Sequence, residues 1–258
     1  RGDHSYDGYK RKRAKALCRI KGENLGNYRE RIISLLYPRH CPVCDEVVPR
    51  VGMYICPACK NKLEYVQGAI CIKCGKQVSE QEEMCIDCKE NTHFFDTGVA
   101  LYKYPCVRQG IYRMKYKGRK EYLDFYSQEV VERLGEQLRL WNPDAIIGVP
   151  LHKARERKRG YNQAEILASQ IGDKMGIPFE KKMVLRQKNT LPQKGLDAFQ
   201  RQNNLKKAFI ISQNVVKLNT IVIIDDIYTT GSTIDAIASV LKANGVQQVY
   251  YIALAIGE

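Results

Sequence analysis

Asp225 and Asp226 close a run of four aliphatic residues in "IVIIDDIYTTGST" (221–233), and a string of small hydroxyl residues around Gly231 follows at once. Two adjacent carboxylates accept hydrogen bonds from neighbouring hydroxyls, such as the 2′ and 3′ hydroxyls of a ribose. Thr229, Thr230, Gly231, Ser232 and Thr233 then open a helix, where consecutive backbone N–H groups and the helix dipole form a cradle for an anion. Glycine lets the backbone approach that anion closely, and the hydroxyls add donors. A phosphate at one end and a diol beside it describe a ribose 5-phosphate. Two other readings exist. A lone Asp-Asp pair can simply end a strand and cap a turn. A magnesium site of a nucleotide-hydrolysing fold needs an upstream G-x-x-x-x-G-K-[ST] loop, which this chain does not contain.

A second set of chemically competent residues is the cysteines. Eight of the ten fall between residues 41 and 88, as the CxxC pairs Cys41/Cys44, Cys56/Cys59, Cys71/Cys74 and Cys85/Cys88, with intervening gaps of 11, 11 and 10 residues. That regularity is an internal duplication. A CxxC turn aims two thiolates at one point, and two such turns complete the tetrahedral shell that zinc prefers. A disulfide framework or a redox dithiol fits less well, because four even pairs occur here without a secretory signal. Two structural zinc ions are expected, each with a full cysteine shell and no open position for chemistry, and their work is to fold a short polar segment. Sequential pairing gives tandem ribbons and interleaved pairing a cross-brace; the hairpin-length gaps favour the tandem form without deciding it. Cys18 and Cys106 stand outside the pattern as ordinary free thiols.

The elements that must position these groups belong to a chain of 258 residues, 44% hydrophobic, with a formal charge of +14. That length holds one good-sized core and a smaller module. The charge favours polyanions, either nucleic acid or phosphorylated substrates. It is concentrated in residues 10–21, 103–120, 152–160 and 181–207, which hold seven, seven, five and eight Lys or Arg. No apolar run approaches the ~20 residues needed to cross a bilayer, so a cytoplasmic protein without membrane insertion is expected. Residues 1–30 read as a basic extension, 31–93 as the cysteine module and 94–258 as a larger unit.

In that larger unit "TGVALYKY", "DAIIGVP", "TIVIIDD" and "VQQVYYIALAIG" read as strands. Helical faces alternate with them: Val130, Val131, Leu134 and Leu138; Ala164, Leu167, Ala168 and Ile171, stopping at Gly176; and Ile234, Ile237, Ala238 and Leu241, ended by Asn244-Gly245. Strands alternating with helices predict an α/β fold with a parallel sheet, whose ligands collect at the carboxyl ends of the strands.

The thirteen-residue stretch 221–233 resembles the phosphoribosyl-pyrophosphate (PRPP) motif of type I phosphoribosyltransferases. The cysteine module introduced by "LLYPRHCPVC", then "MKYKGRKEYL", "PLHKARERKRGYNQAEILA" and "TLPQKGLDAFQRQNN", resemble in order the ComF (ComFC-like) competence proteins. The resemblance implies a type I phosphoribosyltransferase fold preceded by a small zinc-ribbon module with four cysteines to each ion. It gives the ribose hydroxyls to Asp225 and Asp226, the catalytic pair by position, and the 5′-phosphate to Thr229–Thr233. Leu151, His152 and Lys153 fall in the loop that binds pyrophosphate. Arg155, Arg157, Arg159 and the region 186–201, with Arg201, fall in a flap that closes over the ligand, and magnesium accompanies PRPP. On the plainer view, Arg155, Lys158 and Arg159 are a solvated face, His152 is a hydrogen-bonded loop residue, and Asn162, Gln163 and Gln193 satisfy backbone groups of their turns.

The reaction implied is displacement at the anomeric carbon of PRPP by a nitrogen nucleophile, under a hood expected from residues around 94–104 and the C-terminus. A use of the site for binding or regulation alone stands beside it. The resemblance also implies DNA uptake in natural transformation, with single-stranded DNA and a competence helicase or translocase ATPase as partners. For the DNA, the tyrosines and lysines of "YKYPCVRQGIYRMKYKGRK" offer stacking rings among phosphate-binding charges; the same tyrosines can instead pack against the module or the sheet.

Overall fold

The computed structural model describes residues 38–50, 52–187, 208–212 and 218–257. In chain order its elements are α1 (Pro57–Lys60), α2 (Ile86–Glu90), β1 (Thr97–Lys103), α3 (Tyr104–Tyr116), α4 (Tyr122–Trp141), β2 (Ala145–Gly148), α5 (Lys153–Arg159), α6 (Gln163–Met175), β3 (Val184–Arg186), β4 (Phe209–Ile211), β5 (Thr220–Tyr228), α7 (Ser232–Ala243) and β6 (Gln248–Ile256). The four strands expected from the sequence form one parallel sheet in the order β1-β6-β5-β2. β3 and β4 make a separate antiparallel pair.

Strand side chains alternate between faces, so β5 and β6 need apolar residues on both. Val222, Ile224, Ile252 and Leu254 pack with Val107, Ile111 and Met114 of α3, Leu123, Tyr126 and Val130 of α4, and Leu167, Ala168 and Ile171 of α6. Ile221, Ile223, Tyr251 and Ala253 face the other way, onto Ile234, Ile237, Ala238 and Leu241 of α7, the β3–β4 pair, and Cys71, Cys74 and Cys88. α6 ends at Gly176 in the left-handed region, φ 71°. Among the described residues no helix is long and apolar enough to cross a membrane.

The cysteine-rich segment folds as two copies of one turn. Cys41 N–H donates to Glu46 C=O at 2.8 Å and Asp45 N–H to Cys41 C=O at 2.9 Å; Cys71 and Gly75 repeat the pattern at 2.7 and 2.8 Å. Each copy continues into a short helix carrying the last cysteine, α1 with Cys59 and α2 with Cys88. The strand edge of β1 that would otherwise template aggregation is covered by the segment between the copies and by Lys73 of the second copy. Val66 N–H donates to Leu101 C=O at 3.0 Å, Lys103 N–H to Glu64 C=O at 2.9 Å, and Gly98 N–H to Lys73 C=O at 2.9 Å.

One expectation changes, and two segments take a form that the sequence had left open. Residues 97–103 are strand β1 of the core sheet and not a hood, because Ala100, Leu101 and Tyr102 are buried and the backbone pairs with β6; the C-terminal stretch is β6 in the same sheet. The stretch 104–116 is a helix that buries Val107, Ile111 and Met114, leaving Tyr112 and Tyr116 exposed at 48% and 64%. Arg155, Arg157 and Arg159 lie on helix α5, closed by Gly160 at φ 82°. Arg201, Gln193, Cys18 and the extension 1–30 lie outside the described residues, as does most of the 186–201 region.

Candidate functional site

β5 runs past its aliphatic stretch and carries Asp225 opposite Ala253 of β6. On its other side β2 ends in register, Gly148 opposite Ile224, and Val149 N–H donates to Ile224 C=O at 2.9 Å. Residues 150–153 therefore leave the sheet beside the aspartates. This is the carboxyl edge, where the sequence placed the ligand.

The two carboxylates diverge, as strand alternation requires. Asp225 is half-buried and lines one pocket with the turn Thr229–Thr233. Its Oδ1 accepts from the Asp226 N–H at 2.8 Å. Burial pushes Asp225 up to about 7, and the neighbouring Asp226 carboxylate adds to that push against Lys115 and Arg186. Asp226 does not line that pocket. It is 5% exposed and lies on the α3/α6 side, where Lys115 Nζ donates to Oδ1 at 2.7 Å and Gln163 Nε2 to Oδ2 at 2.5 Å.

The turn itself is tightly specified. Gly231 caps α7 at φ 74°, and a Cβ there would lie 2.5 Å from the Tyr228 hydroxyl. Thr229 and Thr230 are exposed, with Thr230 Oγ1 and Ser232 Oγ 2.8 Å apart. Asp235, in the first turn of α7, accepts from Phe94 N–H at 2.8 Å and pairs with His93 Nδ1 at 2.6 Å. Beneath the turn, Tyr228 stacks on Tyr251 with centroids 4.8 Å apart, and the Tyr251 hydroxyl donates to Cys74 C=O at 2.6 Å. The phosphate-type turn thus rests on the second cysteine cluster.

The described residues assigned to pyrophosphate and flap follow the end of β2 and run into α5. Leu151 and His152 are half-buried and Lys153 and Arg155 exposed. His152 Nδ1 accepts from Ala154 N–H at 3.2 Å, capping α5 as the plainer reading had it. Asn162 does the same for α6, accepting from Ala164 N–H at 3.1 Å and donating to Val149 C=O at 3.0 Å. Gln163 departs from that reading, because its amide reaches Asp226 and not a turn. Arg159 donates to Gln163 Oε1 and lies over the Tyr116 ring at 5.6 Å.

Arg186, the first residue of the region 186–201, ends β3. Burial, then the charge of Arg155, hold it below the usual guanidinium range, while Asp225 opposes them. Its Nε is buried without a hydrogen-bond partner.

The cysteines gather as Cys41, Cys44, Cys56 and Cys59, and as Cys71, Cys74, Cys85 and Cys88, with all sulfurs of a set within 4.8 Å. Cys44 and Cys41 each lie 3.7 Å from Cys56, and Cys74 lies 3.5 Å from Cys85. A tetrahedron with Zn–S bonds of about 2.3 Å has sulfur–sulfur edges of about 3.8 Å. The thiolates fit the ion, pairing is sequential, and the tandem arrangement holds. Cys106 stays apart, its thiol donating to Lys103 C=O at 3.1 Å.

Comparison with known proteins agrees with this geometry. Residues 32–89 match the family described as Double zinc ribbon domain. Among solved structures, the adenine phosphoribosyltransferase of Leishmania tarentolae aligns with a TM-score of 0.36 at 16% identity, over 57% of this chain and 75% of that one. The purine phosphoribosyltransferase of Pyrococcus horikoshii aligns with a TM-score of 0.34 at 20% identity, over 51% and 73%. At these scores the likeness carries no argument. Sequence relatives are nearer. The DNA utilization protein YhgH of Escherichia coli strain K12 is 28% identical over 82% of this chain and 94% of its own length. Competence protein ComFC of Bacillus subtilis is 26% identical over 74% and 79%. Competence protein F of Haemophilus influenzae is 31% identical over 78% of this chain and 90% of its own length. With eight cysteines in two zinc-binding sets ahead of a parallel sheet, and that likeness over nearly a whole relative, this chain belongs to the Competence protein F family.

Proposed function

We propose that the carboxyl edge of the sheet binds PRPP, in a type I phosphoribosyltransferase domain spanning about residues 94–258. In this reading Thr229, Thr230, Gly231, Ser232 and Thr233 hold the 5′-phosphate, and Asp225 and Asp226 take the ribose diol. Leu151, His152 and Lys153, with Arg155, Arg159 and Arg201 and now Arg186, face the pyrophosphate. The observation that carries the reading is the pocket that Asp225 shares with a helix-opening turn whose glycine holds φ 74°. PRPP carries about five negative charges, so the Lys and Arg around that edge supply steering and clamping. Magnesium bound with PRPP supplies charge neutralisation on pyrophosphate and diol. The chain's own part in transfer is to orient the ribose and stabilise charge on the departing pyrophosphate.

The relatives' names, competence protein and DNA utilization protein, support a place for this activity in DNA uptake; a cytoplasmic location and a helicase or translocase ATPase as partner complete the proposal. A second reading has its own observation. Tyr112 and Tyr116 are exposed, with centroids 5.1 Å apart, in a stretch rich in Lys and Arg. Such rings stack single-stranded bases, and the protein would then sense PRPP while handling DNA.

Titration calorimetry of PRPP with magnesium separates the readings. The expected result is saturable binding that Asp225→Asn weakens. Affinity should rise as pH rises through about 7, because the diol donates to the ionised Asp225 and the folded protein holds that proton until then. Asp225→Asn should flatten the protein's share of this rise. Oligo(dT) binding that survives Asp225→Asn and falls steeply with salt marks a separate nucleic-acid surface. Absence of PRPP binding by zinc-loaded protein overturns the transferase reading.

A further inference from the structure

Asp226 is a carboxylate buried at a ligand edge, and a buried charge needs partners. The chain supplies them from two helices distant in sequence. Met114 is fully buried, which fixes the roll of the last turn of α3. Its carbonyl also accepts from the Tyr161 hydroxyl, pinning that turn to the segment ahead of α6. The next residue, Lys115, has a side chain 18% exposed and reaches Asp226 Oδ1 at 2.7 Å. Gln163, the first residue of α6, reaches Oδ2 at 2.5 Å. Arg159 donates to Gln163 Oε1, which orients the amide with its nitrogen toward the carboxylate.

An ionised carboxylate offers about four acceptor positions. Lys115 takes one on the first oxygen and Gln163 one on the second, both from the helix side. Held in this way from the helix side, Asp226 in turn donates its backbone N–H to Oδ1 of Asp225, the carboxylate that lines the pocket, at 2.8 Å. We infer that Lys115, with Gln163, is a positioning residue that fixes Asp226 and, through the Asp226 N–H on Asp225 Oδ1, sets the acidic pair for a vicinal diol. The inference rests on the sugar-phosphate reading and deepens it. It moves Lys115 out of the basic aromatic stretch and into the ribose site, acting through Asp226 without touching the ligand.

The split between two ligands tests it. Lys115→Met and Lys115→Arg are prepared as full-length, zinc-loaded protein and titrated with PRPP–magnesium and with inorganic pyrophosphate–magnesium. Loss of one charge-assisted hydrogen bond behind the diol predicts that Lys115→Met weakens PRPP about tenfold or more. Pyrophosphate, which has no diol, should bind as before, and Lys115→Arg should recover most of the PRPP affinity. Gln163→Leu removes the second donor from a different helix and should show the same split with a smaller loss, so a folding defect in Lys115→Met does not shelter the idea. Equal loss of both ligands assigns Lys115 a general electrostatic role and overturns the inference. Wild-type binding of PRPP with indifferent variants overturns it alone, whereas no PRPP binding by the wild type overturns the parent reading as well.

Discussion

The two zinc ribbons share a turn and differ by one residue in spacing, yet they are attached to the molecule in different ways. The first forms its own small cluster around Cys41, Val48 and Cys59, lays Val43 and Ile55 against the helical side of the core, and adds a set of charged contacts. Its Asp45, at φ 67°, accepts from Arg119 Nε at 2.9 Å and from the Tyr122 hydroxyl, with Arg113 Nε at 3.5 Å. Burial pushes Asp45 up, but Tyr122 and the arginines outweigh it and hold it below the usual carboxylate range. The second ribbon contributes Cys71, Cys74 and Cys88 to the main core. At the matching turn position it has Gly75, φ 72°, where a Cβ would lie 2.8 Å from the Gly98 carbonyl oxygen. The residue after the CxxC differs accordingly: in the first ribbon a carboxylate meets the arginines, and in the second a glycine leaves room for the sheet. Only the second mode puts a metal site directly behind the ligand turn, through Cys74, Tyr251 and Tyr228.

The largest test of that contrast removes one ligand from each site. A four-cysteine zinc site in a small peptide contributes on the order of 10 kcal/mol to folding. Cys88→Ser should therefore lose zinc together with much of the melting temperature and PRPP binding, since its site is part of the core. Cys59→Ser should lose one zinc by mass spectrometry while PRPP binding stays within a few-fold. Equal damage from both would erase the distinction. Substitution at the two turn residues comes next. Gly75→Ala should cost about 1–3 kcal/mol from its positive φ and the close carbonyl. Asp45→Ala should cost about 1–2 kcal/mol from lost charged hydrogen bonds, and only the first should perturb the ligand turn. Smallest is Tyr251→Phe, which deletes the hydroxyl's bond to Cys74 C=O for about 1 kcal/mol. A measurable fall in PRPP affinity without zinc loss would show the two tyrosines transmitting that support, and an unchanged affinity would confine it to the shared packing.

Local periodicity made much of this legible. Ile234, Ile237, Ala238 and Leu241 announced α7, Asn244-Gly245 ended it, and the CxxC spacing announced both metal sets. Helix α3 was obscured because its charges and tyrosines drew attention from Val107, Ile111 and Met114, whose spacing carries the helical period. The hood expected near 94–104 failed for a related reason: the apolar alternation of Gly98–Tyr102 satisfies a core strand, and a core strand cannot also stand over the sheet. Lys115 and Gln163 lie 111 and 63 residues from Asp226, and no local pattern encodes such a meeting. Arg186 opens the region 186–201 assigned to the flap but was not singled out within it, since a guanidinium at the end of a three-residue strand has no motif of its own to mark it.

The central claim is that the turn 229–233 holds the 5′-phosphate of a phosphoribosyl ligand. Phosphorus NMR of PRPP titrated with zinc-loaded protein and magnesium reads that group directly, because its resonance is separate from those of the pyrophosphate. The account predicts that the 5′-phosphate signal shifts and broadens with wild-type protein and is untouched by Gly231→Ala, whose Cβ would meet the Tyr228 hydroxyl at 2.5 Å. A 5′-phosphate signal that stays sharp while the pyrophosphate signals move would contradict it.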